Sequence, residues 1–302
     1  MCIRDSQAPR QDQDLLSMLL CRGIITRNTA QRSINQSYVC DMSERDLIVS
    51  NLDVCWDSVV EFLSKLESSQ WQTQSLCPEW TIRGVAAHMV SVEQALSNWL
   101  PSGLDTPPPF EKVGGYFEAA MQMPEAELVA HMQSTFDIRR ENLSETTEAD
   151  FANPCVTPVG PATYGRFMAV REFDFWMHER DCRTPLGIDT DNGGPEAEMA
   201  LNEVHLSIVY IAGKKIGLTE GQSIHFDITG SVERDIYVRG EGRAGECEPI
   251  DAPTTTLHCD SMAFMNQACG RVDPEVPIRE GAISWSGEAE LGAHAARNLR
   301  FT

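Results

Sequence analysis

The sequence predicts an α+β protein: a helical bundle followed by a smaller domain in which helices lie on a sheet. Three observations carry this expectation. Between about 46 and 215, apolar residues recur mainly at intervals of three and four, the period of helices with one buried stripe. Beyond about 220 the period changes to short alternating runs, such as His225-Phe-Asp-Ile-Thr and Asp235-Ile-Tyr-Val-Arg, as in strands with one buried face. A length of 302 residues, with 42% apolar and 23% charged, suits about two globular domains. The expected division is a leader over 1–41, a bundle over 42–192 and an α+β domain over 193–302.

Residues 1–41 hold five Arg and four Asp, no Glu or Lys, and no sustained period. Met42 precedes the first amphipathic pattern, so the stretch before it is expected to be a non-native or disordered leader. From 46 to 67, Leu47, Ile48, Leu52, Cys55, Trp56, Val59, Val60, Leu63 and Leu66 form one helical stripe. Thr81 is the expected N-cap of a second helix running through Val85, His88, Met89, Val92, Leu96 and Leu100, stopped by Pro101 and the three prolines at 107–109. A third helix is predicted over 124–143 and a fourth over Tyr164–Arg183, ended by Thr184-Pro185 and Gly187. Between them, 144–162 carries Pro154, Pro158, Gly160 and Pro161 and reads as a loop. A further helix fits Pro195–Lys215. Strands are then expected at 225–229, 235–239, 254–258 and 282–286, in an antiparallel-rich sheet. One helix is expected at Ser261–Cys269 and a last one runs through Leu291 to Leu299.

The formal charge of −21 repels phosphate backbones and anionic membrane surfaces, so neither nucleic acid nor a membrane is an expected partner. Only four of the 24 basic residues are lysines, leaving arginine as the main cation for gripping carboxylates. Ten cysteines without a Cys-x-x-Cys pair read as reduced thiols. The apolar stretch Leu15–Ile25 is interrupted by Ser17, Arg22 and Gly23, and is too short to span a bilayer. A cytoplasmic protein is expected.

Asp174 and His178 lie four residues apart on one predicted helix, so their side chains share a face at a separation suited to two ligands of one divalent metal. Glu172, six residues from His178, lies on another face. His88, within an otherwise apolar stripe, is the candidate third ligand, and three protein ligands leave a position open for water or substrate. Arg171 and Asp181 extend the Asp174–His178 face by a turn each way. Turned inward, such a face is a site. Turned outward, it is a solvated surface on which the i,i+4 pair adds roughly 0.2–0.5 kcal/mol.

Two segments carry a family resemblance. Leu76-Cys77-Pro78-Glu79-Trp80-Thr81-Ile82-Arg83 leads to His88, and Asp174-x-Trp176-x-His178-Glu179-x-Asp181-x-Arg183 follows on a later helix. Together they resemble the mycothiol-dependent maleylpyruvate isomerase family, within the DinB-like metal-binding four-helix bundles, over about 42–190. The resemblance implies His88, Asp174 and His178 as metal ligands, with zinc as the metal and mycothiol as thiol cosubstrate. The characterised isomerase of that family has glutamate at the position of Asp174, and other members have aspartate. The region from about 220 onward is similar in pattern to the sterol carrier protein fold. In the isomerase family a related domain covers the bundle and supplies an arginine, for which Arg271 is the candidate here; an exposed arginine at a helix end is the alternative.

The resemblance implies a thiolate that adds to an activated cis double bond, rotation about the resulting single bond, and elimination to the trans isomer, or in relatives a thiolate that displaces a leaving group. The expected function is therefore a metal- and thiol-dependent isomerase or transferase acting on a small electrophile. A carboxylated substrate would call on Arg83, Arg171 or Arg271. The alternative is a non-catalytic binding protein with a structural metal and an apolar ligand pocket in the C-terminal domain. A fourth protein ligand such as His131 or a cysteine would mark that alternative. Otherwise His131, His205, His225, His258 and His294 are expected to be ordinary core or surface residues. Oligomeric state is not written in the sequence.

Overall fold

The computed structural model describes residues 42–301, and the expected leader over 1–41 lies outside them. From Ile48 onward the chain forms one compact unit. Its first half is a bundle of four long helices: α1 (Glu44–Ser64), α2 (Ile82–Leu96), α4 (Glu125–Ser144) and α6 (Tyr164–Arg183). A shorter helix, α3 (Val113–Gln122), packs along α2, and the short α5 (Glu148–Phe151) leads into a hairpin. The stripe read on α1 is buried at Ile48, Leu52, Cys55, Trp56, Val59 and Leu63. It meets α4 and α6 in an aromatic cluster, with Trp56 stacked on Phe136 at 5.3 Å and Phe175 set edge-on to both.

Thr81 caps α2 by accepting from the Gly84 amide, and Thr163 caps α6 by accepting from that of Arg166. The expected limits of α6 are those observed. Helix α2 stops at Leu96, four residues short of expectation, because Asn98 takes a positive φ of 60° and turns the chain ahead of Pro101. The expected loop 144–162 contains a hairpin, β1 (Pro154–Thr157) against β2 (Gly160–Thr163). Its prolines are accommodated because a two-stranded ribbon consists of edges alone.

The expected helix Pro195–Lys215 is three pieces: α7 (Gly194–His205), α8 (Ile208–Tyr210) and a π-helical turn over Ile211–Ile216. Its apolar positions Ile208, Ile211, Ala212 and Ile216 are all buried, so the pattern runs on where the backbone changes winding. The sheet follows, with β3 (Ser223–Thr229), β4 (Arg234–Glu241), β5 (Arg243–Glu246), β6 (Thr255–Asp260) and β7 (Ile283–Gly287) in the order β5-β4-β3-β6-β7. All pairs are antiparallel except β3 with β6. Its inner face, including Ile224, Phe226, Leu257 and Ile283, packs under α9 (Ser261–Ala268) and α11 (Ala289–Asn298), with α10 (Glu275–Glu280) before β7. The outer face carries polar rows: His225 with Asp235, and His258 between Asp227 and Ser286. One apolar cluster is continuous from α1 to α11. The chain is thus α+β, helical first and sheet-containing second.

Candidate metal centre

Helix α6 presents Arg171, Asp174, His178 and Asp181 along one face, at spacings of three and four, and this face is turned inward. His88, two turns into α2, meets it from the side. His88 Nε2 lies 3.4 Å from Asp174 Oδ2, and His178 Nε2 lies 3.3 Å from Asp174 Oδ1. The three residues expected from the sequence therefore converge, each offering one donor atom within 4.8 Å of the others. The His178 side chain is 7% exposed, against 22% for His88 and 25% for Asp174, so the cluster opens to solvent on the His88 and Asp174 side.

His88 is positioned through the loop ahead of α2. Gln74 Nε2 donates to the carbonyls of Cys77 and Trp80 at 2.8 Å, and Ser75 Oγ donates to that of Trp80 at 2.7 Å, drawing Cys77-Pro78-Glu79-Trp80 into a closed turn. The Trp80 side chain then crosses α2 at Gly84, where an added Cβ would stand 3.0 Å from Trp80 Cβ. It stacks on the His88 ring at 4.8 Å. Phe117 of α3 stands 6.1 Å from Trp80, extending the apolar wall beside the cluster.

Behind the cluster lies a buried chain of charges. Arg171 donates through Nη1 to Asp174 Oδ2 at 2.7 Å and through Nε to Glu93 Oε1 at 2.8 Å. Glu93, itself fully buried, accepts from Arg139 Nε at 2.8 Å with its other oxygen. Arg171 Nη2 is buried without a partner. On the far side of His178, Nδ1 faces Asp181 Oδ2 at 2.9 Å, and Asp181 also accepts from the Cys77 thiol at 3.1 Å and from Arg271 Nε at 2.8 Å. Cys77, His178 and Asp181 form a second convergent donor set. It uses the ring nitrogen turned away from His88, and Arg271 already neutralises its carboxylate.

Burial alone would raise the Asp174 pKa, but the charges of His178 and Arg171 outweigh it and hold this carboxyl well below its ordinary range. Burial works against the charged form of His178, yet Asp174, Asp181 and Cys77 together raise it well above the usual imidazole value. His88 shifts the other way, lowered by burial despite its contact with Asp174. Burial would raise the Asp181 pKa too, but its bond to His178 and the charge of Arg271 lower it.

The donor set suits a divalent metal: two imidazole nitrogens and one carboxylate oxygen, with the other nitrogen of one imidazole held by a second carboxylate. His131, a residue whose ligation would have marked a closed structural site, faces Gln94 Oε1 at 3.2 Å and is not among the grouped donors. Of the three arginines considered for a substrate, Arg83 is engaged by Glu125 and the Met123 carbonyl, Arg171 by Glu93 and Asp174, and Arg271 by Asp181 and the Cys269 carbonyl. Sequence reasoning missed Glu93, whose only signal is an acidic residue in an otherwise apolar stretch of α2, and Phe117, which lies on a helix not anticipated.

Fold and site define the class: a helical bundle joined to an α+β region, with a His–Asp–His cluster where the two principal histidine-bearing helices meet. Residues 52–183 match the family model of the mycothiol maleylpyruvate isomerase N-terminal domain, a span that includes Cys77, His88, Asp174, His178 and Asp181 and excludes Arg271. The chain has the fold of mycothiol-dependent maleylpyruvate isomerase. A crystal structure of a histidine-to-alanine mutant of that enzyme aligns with a TM-score of 0.54 at 16% identity, covering 82% of this chain and 94% of that one. A second crystal structure of the isomerase aligns with a TM-score of 0.52 at 16% identity, covering 77% and 91%. No curated protein sequence matches the chain. Among the described residues no helix is long and apolar enough to cross a membrane.

Proposed function

We propose that the protein is a metal- and thiol-dependent isomerase or transferase acting on a small, carboxylated electrophile, with mycothiol as the thiol cosubstrate and zinc as the metal. The observation that carries this reading is the convergence of His88, Asp174 and His178 within 4.8 Å on a partly open face, backed by a buried carboxylate on the free nitrogen of His178. These three would hold the metal, which when bound with an open position lowers the pKa of a bound thiol or water. The chain's own residues supply the setting. Arg171 fixes the Asp174 carboxylate, the Trp80 ring braces His88, and Trp80 with Phe117 shields one side of the cluster from water. Arg171 keeps one buried donor, Nη2, without a protein partner. The bundle over 42–192 would carry the ligands, with 193–302 closing the site from behind through Arg271.

The engagement of His131 with Gln94 supports an open site over a closed structural one. The test is metal analysis of purified protein followed by turnover of a panel of small electrophiles with and without added thiol. Metal bound by wild type and lost in His88→Ala and His178→Ala, together with thiol-dependent turnover, supports the reading. Protein that takes up no divalent metal, or turnover indifferent to thiol, overturns it.

A further inference from the structure

Asp181 has no path to a substrate. It is fully buried, one turn beyond His178 on α6, and its carboxylate is enclosed by three donors from three parts of the chain. His178 comes from the same helix, the Cys77 thiol from the loop ahead of α2, and the Arg271 guanidinium from the segment after α9. The loop is tied to the same spot by its backbone, Leu76 N donating to the Asp181 carbonyl at 3.0 Å. Arg271 is itself oriented, its Nη1 donating to the Cys269 carbonyl at 3.1 Å and its amide to that of Asn266 at 2.7 Å.

An ionised carboxylate only accepts hydrogen bonds, so the imidazole nitrogen facing it must carry hydrogen. With Nδ1 committed to Asp181, the lone pair available for a metal is on Nε2, the atom that points at Asp174. The arrangement works only while Asp181 stays ionised and fixed. A carboxylate buried this deeply is costly unless a charge is paired with it, and Arg271 is the cation that bonds to it.

We infer that Arg271 is a positioning residue for the metal centre: reaching in from the C-terminal region, it holds Asp181, which keeps His178 protonated at Nδ1 with Nε2 directed at the ligand cluster. This replaces the expectation that Arg271 meets a substrate carboxylate. It also gives the C-terminal region a role in ligand geometry separate from covering the site. The inference rests on His178 acting as a ligand, as proposed above.

The experiment is cobalt and zinc affinity, measured by chelator competition on the full chain, for wild type, Arg271→Ala, Arg271→Lys and Asp181→Asn. Visible cobalt spectra and thermal melts accompany each variant. Arg271→Ala and Asp181→Asn should weaken metal binding by ~10–100-fold and alter the cobalt spectrum, with Arg271→Lys restoring part of the affinity. Asp181→Asn should be the more severe, since its amide can donate to Nδ1 and place the hydrogen on Nε2 instead. A merely structural role would lower the melting temperature and leave affinity unchanged where the variants are folded. If Asp181→Asn fails to fold, the two Arg271 variants still decide, because that side chain is partly exposed. Metal affinity in Arg271→Ala within about twofold of wild type overturns the inference, and an isolated rise in KM for carboxylated substrates would return Arg271 to the substrate. Wild type that binds no metal defeats the proposed function and this inference together, whereas wild-type binding with unchanged variants defeats this inference alone.

Discussion

Asp174 and Glu172 are two residues apart on α6, both carboxylates, and they stand on opposite sides of the helix in opposite electrostatic conditions. Asp174 accepts from Arg171, lies against two imidazoles and is held well below the ordinary carboxyl range, with cationic charge outweighing its burial. Glu172 is fully buried, with the Cys55 thiol 4.0 Å from one oxygen and no partner for the other. Burial raises its pKa well above the usual value, and Glu196 and Glu203 push it further than Arg180 draws it back. One helix therefore carries a carboxylate organised for charge on one side and a carboxylate that disfavours charge on the other. Both are carboxylates on one helix; the supply of cations differs, and Asp174 is partly exposed where Glu172 is not.

The largest effect should come from removing the centre of the organised face. His178→Ala should take divalent metal content from about one ion per chain to none, read by elemental analysis, and His88→Ala should reduce it steeply. Unchanged content in both variants would show that the face is organised for a purpose other than metal. Next in size is Glu93→Gln. This substitution leaves Arg139 and Arg171 buried without their shared counter-charge, and should cost about 3–5 kcal/mol in denaturant unfolding. A cost below about 1 kcal/mol would mean that the cationic chain behind Asp174 is not held by Glu93, and the contrast with Glu172 would lose its physical basis.

Glu172→Gln tests the other side. The folded protein holds the Glu172 proton more tightly than the unfolded chain does, so unfolding releases a proton between the unfolded value near 4.5 and the raised folded value. Wild-type stability attributable to this residue is complete below 4.5 and falls as pH rises through that window. The glutamine variant has no such loss. It should match wild type near pH 4 and exceed it by about 1–3 kcal/mol at pH 8. Equal pH profiles would show that water or rearrangement relieves Glu172 and that the two faces are less different than their geometry indicates. The same change at Asp174 should instead weaken metal binding.

Much of the organised face was readable because helical spacing is a local property. Asp174 and His178 at i,i+4, with Arg171 and Asp181 one turn either side, needed only the 3.6-residue period, and the Cys77–Arg83 segment pointed to His88. What joins the helices was not readable. Nothing local says that Glu93 would bridge Arg139 and Arg171, or that Arg271, 90 residues beyond Asp181, would bond to it. The same limit applies to the fold. The main helices and four of the five sheet strands followed from period. Helix α3 was hidden by Gly114-Gly115, which lower helix propensity, and the β1–β2 hairpin by prolines that ordinarily signal a loop. The parallel β3–β6 pairing is a contact between strands distant in sequence, beyond any pattern within either.

Thr81→Ala should have the smallest effect and separates two ways of holding the site face. Thr81 caps α2 by accepting from Gly84 N at 3.4 Å, a long bond, and its loss should cost about 0.5–1 kcal/mol in unfolding free energy. His88 lies seven residues further along, about two turns in, where fraying of the first turn does not reach. Its ring is held by Trp80, which is fixed by Gln74 and Ser75 through backbone carbonyls and by close approach to Gly84, none of which involves the threonine hydroxyl. If side-chain and loop contacts organise this face, metal affinity in Thr81→Ala stays at the wild-type value while stability drops slightly. If affinity falls further than stability, the end geometry of α2 also sets the His88 position, and the contrast between the two sides of α6 would depend on the neighbouring helix as much as on the cations packed against it.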